Sequence, residues 1–249
     1  MSIGYLEQFS VTFQNLLDKN LPWPDFLAQG REMVGKLATE PGWLNNTLAR
    51  LVLDEAFLQS QYQSMDPNDI LLYRSPSHSF SIRAYIWESG VRYPIHDHGS
   101  WGIVSAHFNQ IREFKYQRLD DGSREGWAQV RVNSEAVLNP GETTYVLPLN
   151  EGLHQMETVD DQVAITIHVY GSPVRKGFIQ YFDVHHQSVY RVFPPQLQKK
   201  ALAMRTLGCM PETWSEEVLQ EAVNRSVPSY MALEGQLALD NLMRLKDQK

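Results

Sequence analysis

Hydrophobic residues recur at helical spacing near both ends of the chain. Between residues 5 and 65 they fall three or four positions apart, as in Phe9, Phe13 and Leu16, which predicts several short helices. The same spacing returns after Pro194-Pro195, with helix-start signals at Thr213 and Ser229. The pattern therefore predicts helical segments on either side of a different central region.

The central region, from about residue 70 to 195, has the pattern of short β-strands separated by turn residues. The strand-like runs are SIRAYIW, GIVSAHF, REFKYQ, AQVRV, TTYVL, VAITIHVYG, FIQYF and SVYRVF. Short strands in this number favour a barrel or a sandwich. We expect a mainly β fold with an N-terminal helical segment at 1–69, a β barrel at 70–195 and a C-terminal helical extension at 196–249, with both sets of helices packed on the barrel.

The composition argues against a nucleic-acid-binding protein, a membrane protein and a metal site built from cysteines. The chain has 249 residues, of which 43% are hydrophobic and 20% charged, and its formal charge of −7 argues against a nucleic-acid partner. The first residues, MSIGYLEQFS, resemble no signal peptide and no run is long enough to span a membrane, so we expect a cytoplasmic protein. With a single cysteine, Cys209, a metal would use His, Asp or Glu.

Two histidines lie one residue apart in the stretch YPIHDHGSWG. In an extended chain the side chains of His96 and His98 leave the same face, and Pro94 and Gly99 disfavour a helix here. His154 follows a turn and begins a new β run, which can return beside the first pair. The alternative is that HDH is a polar turn and His154 a surface residue. Of the other histidines, we expect His107 to be a satisfied barrel histidine and His185-His186 a polar turn.

The order and separation of these residues resemble the two motifs of the cupin superfamily. The matching positions, within Trp87 to Gly171, are Gly90, His96, His98, Gly141, Pro148 and His154. The resemblance implies a double-stranded β-helix, or jelly-roll barrel. Many cupins also have a glutamate four or five residues after the second histidine, but this chain has Gly102 and Ile103 there. The implied site is therefore three histidines without a carboxylate.

Such a ligand set has chemical consequences. Three neutral imidazoles leave a divalent metal with its full charge and with open positions, which favours an anionic ligand. Imidazole suits Fe, Zn, Cu or Ni, and spacing does not choose among them.

The run VAITIHVYG has two chemically different faces. Alternation places Val163, Ile165, Ile167 and Val169 on one face, and Ala164, Thr166, His168 and Tyr170 on the other. The polar row either faces water or points into the barrel. In the second case the Thr166 hydroxyl, the His168 imidazole and the Tyr170 phenol form a hydrogen-bonded relay beside the metal.

With these motifs together, the chain resembles the cysteine dioxygenase family of thiol dioxygenases, over about Tyr73 to Gly171. The Ser-x-His-x-Tyr strand of that family matches Thr166, His168 and Tyr170 with one substitution, and Tyr73-Arg74 resembles its substrate-carboxylate pair. The resemblance implies non-haem Fe(II) and addition of both atoms of O2 to a thiol sulfur, giving a sulfinate. Arg83 is a rival carboxylate anchor. The longer helical tail indicates a homodimer contact.

Two other classes stay open: a cupin that uses another divalent metal for isomerisation or hydrolysis of a small anion, and a non-catalytic cupin that binds a small molecule. The residues do not decide between cysteine and 3-mercaptopropionate as substrate. Some of these dioxygenases carry a thioether between the relay tyrosine and a cysteine five residues after the second metal histidine. That position is Ile103 here, so we expect Tyr170 to be an unmodified phenol.

Overall fold

The computed structural model describes residues 2–61, 65–225 and 229–248. They form two compact units, one ending at Arg191 and the other beginning at Val192. The first unit contains four helices and the strands, except for the last residue of the final strand, and the second contains three helices.

Four helices open the first unit, where helical spacing predicts them. They are α1 (Ser2–Asp18), α2 (Trp23–Thr39), α3 (Asn45–Leu53) and α4 (Glu55–Ser60). α2 follows Pro22, and Asp54 begins α4 by accepting a hydrogen bond from the Phe57 amide through its side chain.

Eleven strands follow. Their bounds are β1 (Asp69–Arg74), β2 (Phe80–Trp87), β3 (Ile95–His96), β4 (Gly102–Phe108), β5 (Ile111–Arg118), β6 (Val130–Leu138), β7 (Thr143–Val146), β8 (His154–Thr158), β9 (Ala164–Gly171), β10 (Ile179–Asp183) and β11 (Ser188–Val192), with a 3-10 turn at Leu149–Gly152. All eight strand-like runs of the sequence contain strands.

The strands form two antiparallel sheets, in the orders β1-β2-β9-β4-β7 and β11-β10-β3-β8-β5-β6. The expectation of a β-rich domain is confirmed. The expected closed barrel is not seen, because the ladders between the described strands do not join the two sheets into one.

The helices cover one side of the first sheet. Ile165, Ile167 and Val169 of β9 are buried in a core shared with Phe13 of α1 and Phe26 of α2. The predicted alternation of β9 is therefore confirmed from Ile165 onward. Val163 departs from it, because the strand begins only at Ala164 and the Val163 side chain is exposed.

The other side of the first sheet faces the second sheet. A second core combines Trp87 and Val104 of the first sheet with Ile111 and Met156 of the second. Ala164 belongs to this core, so the polar strand face of β9 points between the sheets. The alternative in which this row faces water is therefore wrong.

β6 is one of the two edge strands of the second sheet, and its residues 131–137 are exposed to solvent. Its pairing with β5 shifts where Lys115 opposes Ser134 and Tyr116 opposes Val132, which leaves Asn133 without a residue opposite it.

The second unit consists of α5 (Pro195–Leu207), α6 (Thr213–Arg225) and α7 (Ser229–Asp247). The predicted start signal at Thr213 coincides with the beginning of α6, whereas α7 is described from Ser229 onward. A Cβ at Gly208 would lie 2.6 Å from the Ala238 carbonyl oxygen, so this glycine lets α5 end close against α7. Among the described residues, no helix is both long and apolar enough to cross a membrane.

Candidate metal centre

Three buried histidines form a nearly regular triangle between the sheets. His96 ends β3 and is paired across the strands with His154 at the start of β8, while His98 follows two residues after His96. The ring centroids of each pair are 4.7 Å apart, and one nitrogen from each ring lies within 4.8 Å of the others. The three side chains could therefore hold a single metal ion.

The outer nitrogens of two rings are fixed by hydrogen bonds. Nδ1 of His96 donates to the Pro94 carbonyl at 2.9 Å, and Nδ1 of His154 is hydrogen-bonded to Oε1 of Glu113 at 2.7 Å. In both rings Nε2 is left as the nitrogen for a metal. Carboxylate or carbonyl partners of this kind orient metal-binding histidines in general.

His98 is the least satisfied of the three rings. Both of its nitrogens are buried, and neither makes a hydrogen bond of normal geometry with the described residues. The Gly152 backbone is close enough to raise the His98 pKa but forms no such bond. A buried polar group without a partner is costly. A metal ion would satisfy His98, so the donor set fits a bound metal.

Burial keeps these imidazoles neutral. It lowers the pKa of His96 and lowers those of His98 and His154 well below the ordinary value. In His98 and His154, neighbouring imidazoles add to the effect. Since only a neutral imidazole binds a metal, the cluster is ready for one at neutral pH.

The segment that carries His96 and His98 is held by the loop after β9. Asp97 is fully buried and accepts two hydrogen bonds of 2.6 Å from Arg175 and one of 2.7 Å from the Gln180 amide. The Gly99 carbonyl accepts from the amides of Val174 and Arg175. A Cβ at Gly99 would overlap the Arg175 carbonyl oxygen, so only glycine fits this close approach.

A chain of hydrogen bonds follows β9 toward the histidines. Trp87 Nε1 donates to Thr166 Oγ1 at 2.8 Å, Thr166 Oγ1 lies 2.7 Å from His168 Nε2, and His168 Nδ1 lies 2.8 Å from the Tyr170 hydroxyl. The Tyr170 ring stacks on the ring of His98, with centroids 5.5 Å apart. The predicted relay residues are therefore brought together, and the relay ends beside the triangle.

Burial sets the protonation of the relay. It lowers the pKa of His168 well below its usual range and raises that of Tyr170, so the imidazole is neutral and the phenol protonated at pH 7. Nearby imidazoles and Arg83 lower the His168 pKa further.

Gly102 makes room for the Tyr170 ring. A Cβ at Gly102 would lie 2.6 Å from Cε1 of Tyr170, whereas Ile103 is buried in the core on the helix side of the sheet. The position that faces the tyrosine is therefore Gly102, one residue earlier than the sequence motif suggests. Neither residue carries sulfur.

The three predicted substrate contacts have different surroundings. Arg83 is the cross-strand neighbour of His168 and forms an ion pair with the buried Asp69. Burial raises the pKa of Asp69 to about 6, against the opposing effect of Arg83. Arg74 is exposed at the end of β1. Tyr73 packs against Phe80 in the core on the helix side of the first sheet, the face opposite to the relay.

The remaining histidines lie outside the triangle. Nδ1 of His107 is 2.5 Å from the Ala38 carbonyl, and its ring packs against Trp43. His185 and His186 lie in an exposed turn, as expected.

Sequence reasoning did not find Glu113 or the pair of Asp97 and Arg175. Glu113 carried a usable signal, because it shares strand parity with the buried Ile111 in the run IREFKYQ, and an acid at a core-facing position needs partners. Arg175 gave none, because it is 78 residues away from Asp97 in the chain.

No protein-family model matches the chain. Solved structures with partial likeness include the DMSP lyase DddQ from Ruegeria pomeroyi DSS-3, at 14% identity over 39% of this chain and 41% of that one, with a TM-score of 0.29. A cupin 2 conserved barrel domain protein from Rhodopseudomonas palustris is 12% identical over 47% and 67% of the two chains, with a TM-score of 0.34. An acetylacetone dioxygenase from Acinetobacter johnsonii is 12% identical over 54% and 76%, with a TM-score of 0.32.

The match spans less than half the length of the lyase. Likenesses this low carry no functional conclusion, so the function has to be inferred from the side chains of the site.

Proposed function

We propose that this chain is a cupin that acts as a non-haem iron thiol dioxygenase, adding both atoms of O2 to the sulfur of a small carboxylated thiol to give a sulfinate. The observation that carries the proposal is the buried triangle of His96, His98 and His154 without a carboxylate ligand, with the ring of the relay tyrosine stacked on His98.

The ligand set suits the binding of a thiol. Fe(II) held by the three histidines would activate O2 and would lower the pKa of a thiol that binds it, while the four electrons that reduce O2 come from the sulfur as it becomes a sulfinate. Because all three imidazoles are neutral, no direct ligand carries a negative charge, and a thiolate is the anion that this reaction requires.

The relay positions the reacting groups. Tyr170 is a protonated phenol whose oxygen is held by His168, which is held in turn by Thr166 and, through it, by Trp87. A phenol fixed in this way offers one directed hydrogen bond to a substrate atom without having to reorganise. The roles proposed for Thr166 and His168 are to fix the position of Tyr170.

Arg83 is the anchor that the surroundings favour for the substrate carboxylate. It lies on the strand face that carries the relay, and its only hydrogen bond among the described residues goes through one nitrogen to Asp69. The rest of its planar fork can take a carboxylate through parallel hydrogen bonds. Arg74 stays a candidate at the edge of the site, and Tyr73 is less favoured because it packs on the helix side.

The remaining parts of the proposal concern partners and place. We propose a small thiol and O2 as substrates, a cytoplasmic location, no nucleic-acid or membrane partner, and a homodimer formed through the helices of residues 196–249. The net charge of −7 supports the absence of a nucleic-acid partner.

The test is O2 consumption by iron-loaded protein with cysteine, 3-mercaptopropionate, cysteamine and homocysteine, with the product analysed by mass spectrometry after reaction under labelled O2. We expect uptake with a carboxylated thiol and two labelled oxygens in one sulfinate. His154→Ala should lose both iron and uptake, while His107→Ala should keep both. Bound iron without uptake on any thiol would contradict the proposal, as would activity that requires zinc, manganese or nickel.

A further inference from the structure

Glu113 is a buried acid whose two oxygens are held on opposite sides. Its side chain is 2% exposed. Oε1 lies 2.7 Å from Nδ1 of His154, and Oε2 accepts a 2.6 Å hydrogen bond from the Thr144 hydroxyl. Glu113 belongs to β5 in the second sheet and Thr144 to β7 in the first, so the carboxyl group also links the sheets next to the histidine triangle.

Oε2 accepts from the Thr144 hydroxyl. With a metal on Nε2 of His154, Nδ1 carries the proton and donates to Oε1, and an acid that accepts at both oxygens is a carboxylate. Lys115 lies 3.9 Å from Oε2 and donates to the Tyr145 carbonyl at 2.8 Å. A cation is therefore placed on the side of the carboxylate away from the His154 hydrogen bond.

The three histidines differ in what holds their outer nitrogens. His96 donates to a neutral carbonyl, and His98 has no hydrogen-bond partner of normal geometry among the described residues. Only His154 donates to a carboxylate. The ligand set is therefore electrostatically asymmetric although its geometry is nearly regular.

We infer that Glu113 is a positioning residue that fixes the His154 tautomer and passes negative charge through that imidazole to the metal. The inference rests on the proposed metal centre. Gly102 and Ile103 occupy the places where many cupins have a glutamate, and Glu113 supplies a carboxylate one hydrogen bond farther out. A histidine that donates to a carboxylate is a stronger metal ligand, and it stabilises the more oxidised metal.

The experiment compares Glu113→Gln, which keeps the shape and an acceptor oxygen but loses the charge, with Glu113→Ala, which loses both. Glu157→Gln is the matched control, because Glu157 lies on the same strand as His154 but pairs with Arg92. Three quantities are measured: the Co(II) affinity of metal-free protein, the reduction potential of iron-loaded protein, and the His154 tautomer by nitrogen NMR of zinc-loaded protein.

We expect Glu113→Gln to weaken Co(II) binding about 10-fold and Glu113→Ala about 100-fold, the usual range for the outer partner of a metal-binding histidine. The potential should rise in Glu113→Gln while the tautomer is kept, and Glu157→Gln should match the wild type. Thermal unfolding shows whether Glu113→Ala folds, and Glu113→Gln decides the question if it does not.

An unchanged potential in Glu113→Gln would overturn the inference, because a purely structural role needs no charge. Wild-type Co(II) affinity in that variant would overturn it as well. These measurements do not depend on turnover. If the wild type binds metal but oxidises no thiol, the proposed function fails while the role of Glu113 is still decided by the variants.

Discussion

Arg83 and Arg74 lie on neighbouring strands of one sheet but differ in their surroundings, since one is ion-paired beside the relay strand and the other is exposed. We expect Arg83→Ala to lower kcat/KM for a carboxylated thiol roughly thirtyfold, because a lost charge-assisted pair costs about 2 kcal/mol. The effect should largely vanish with cysteamine, which has no carboxylate. Arg83→Lys keeps the charge without the planar fork and should recover only part of the loss.

Steady-state kinetics of the same two substrates with Arg74→Ala provide the comparison. If Arg74→Ala shows the selective loss and Arg83→Ala does not, the anchor is at the end of β1 instead.

Tyr170 and Gly102 give a second prediction at this scale. Peptide mapping after aerobic turnover should find Tyr170 as a free phenol, since the residue that faces its ring is Gly102 and the motif position is Ile103, and neither carries sulfur. Gly102→Ala should displace the tyrosine ring from His98, because the added Cβ would lie 2.6 Å from the ring. We expect at least about a tenfold loss of kcat, typical of a misplaced positioning group, with iron content unchanged.

Gly4→Ala is the control, because a Cβ there meets nothing within 4 Å. A cross-linked Tyr170 peptide, or full activity of Gly102→Ala, would contradict this picture of the pocket.

At the scale of elements, the ion pair between Asp97 and Arg175 joins the loop after β9 to the segment that carries His96 and His98. Removing Arg175 leaves a fully buried carboxylate with only the Gln180 amide as a donor among the described hydrogen bonds. We expect Arg175→Ala to lower the free energy of unfolding by about 3 kcal/mol, the cost of breaking a buried pair from one side. Urea denaturation measures the loss.

Arg131→Ala, at an exposed position on β6, should cost less than about 0.5 kcal/mol, as is usual for surface changes. Equal effects of the two substitutions would show that the Asp97 pair contributes no more than a surface contact.

The same scale shows what the sequence could and could not predict. The helices and most strands follow from periodicity, because most of them bury one face; α3 and α4, which contain no fully buried residue, and β6, which is exposed at 131–137, are the exceptions. β1 and β3 gave no pattern: DILLYR is a run without clean alternation and contains a bulge between Leu71 and Tyr73, and β3 has two residues. The boundaries proposed at 69/70 and 195/196 stay predictions.

In the site, His96 and His98 follow from two-residue spacing and the relay from strand parity. The contacts of Asp97 with Arg175 and of Glu113 with Thr144 depend on how distant segments meet, which local pattern does not contain.

For the whole molecule, the buried histidines predict how stability depends on pH. His96, His98, His154 and His168 have a folded-state pKa below 6.5. Above pH 6.5 the folded and unfolded chains are both neutral at these positions. Below pH 6.5 the unfolded chain binds protons at these histidines and the folded chain does not. The free energy of unfolding of metal-free protein should therefore fall as pH decreases. The slope is about 1.4 kcal/mol per pH unit for each histidine that stays neutral.

Asp69 acts in the opposite direction between about pH 4 and 6, because burial raises its folded-state pKa to about 6. Denaturation at pH 7, 6 and 5 measures the net slope. His98→Asn should make the slope shallower, because it removes one of these buried imidazoles. A slope that is flat below pH 6.5 would mean that the buried rings are protonated in the folded protein.

The outer strand β6 has a consequence for behaviour in concentrated solution. A long, regular edge strand exposes unpaired backbone N–H and C=O groups, with which strands of other molecules can pair and form fibres. In β6 the unpaired Asn133 interrupts the regular repeat of backbone donors and acceptors, and Arg131 and Glu135 bring charge to the exposed stretch. The bulge therefore disfavours the pairing of β6 with strands of other molecules. This exposed edge of the sheet is for that reason a poor starting point for aggregation.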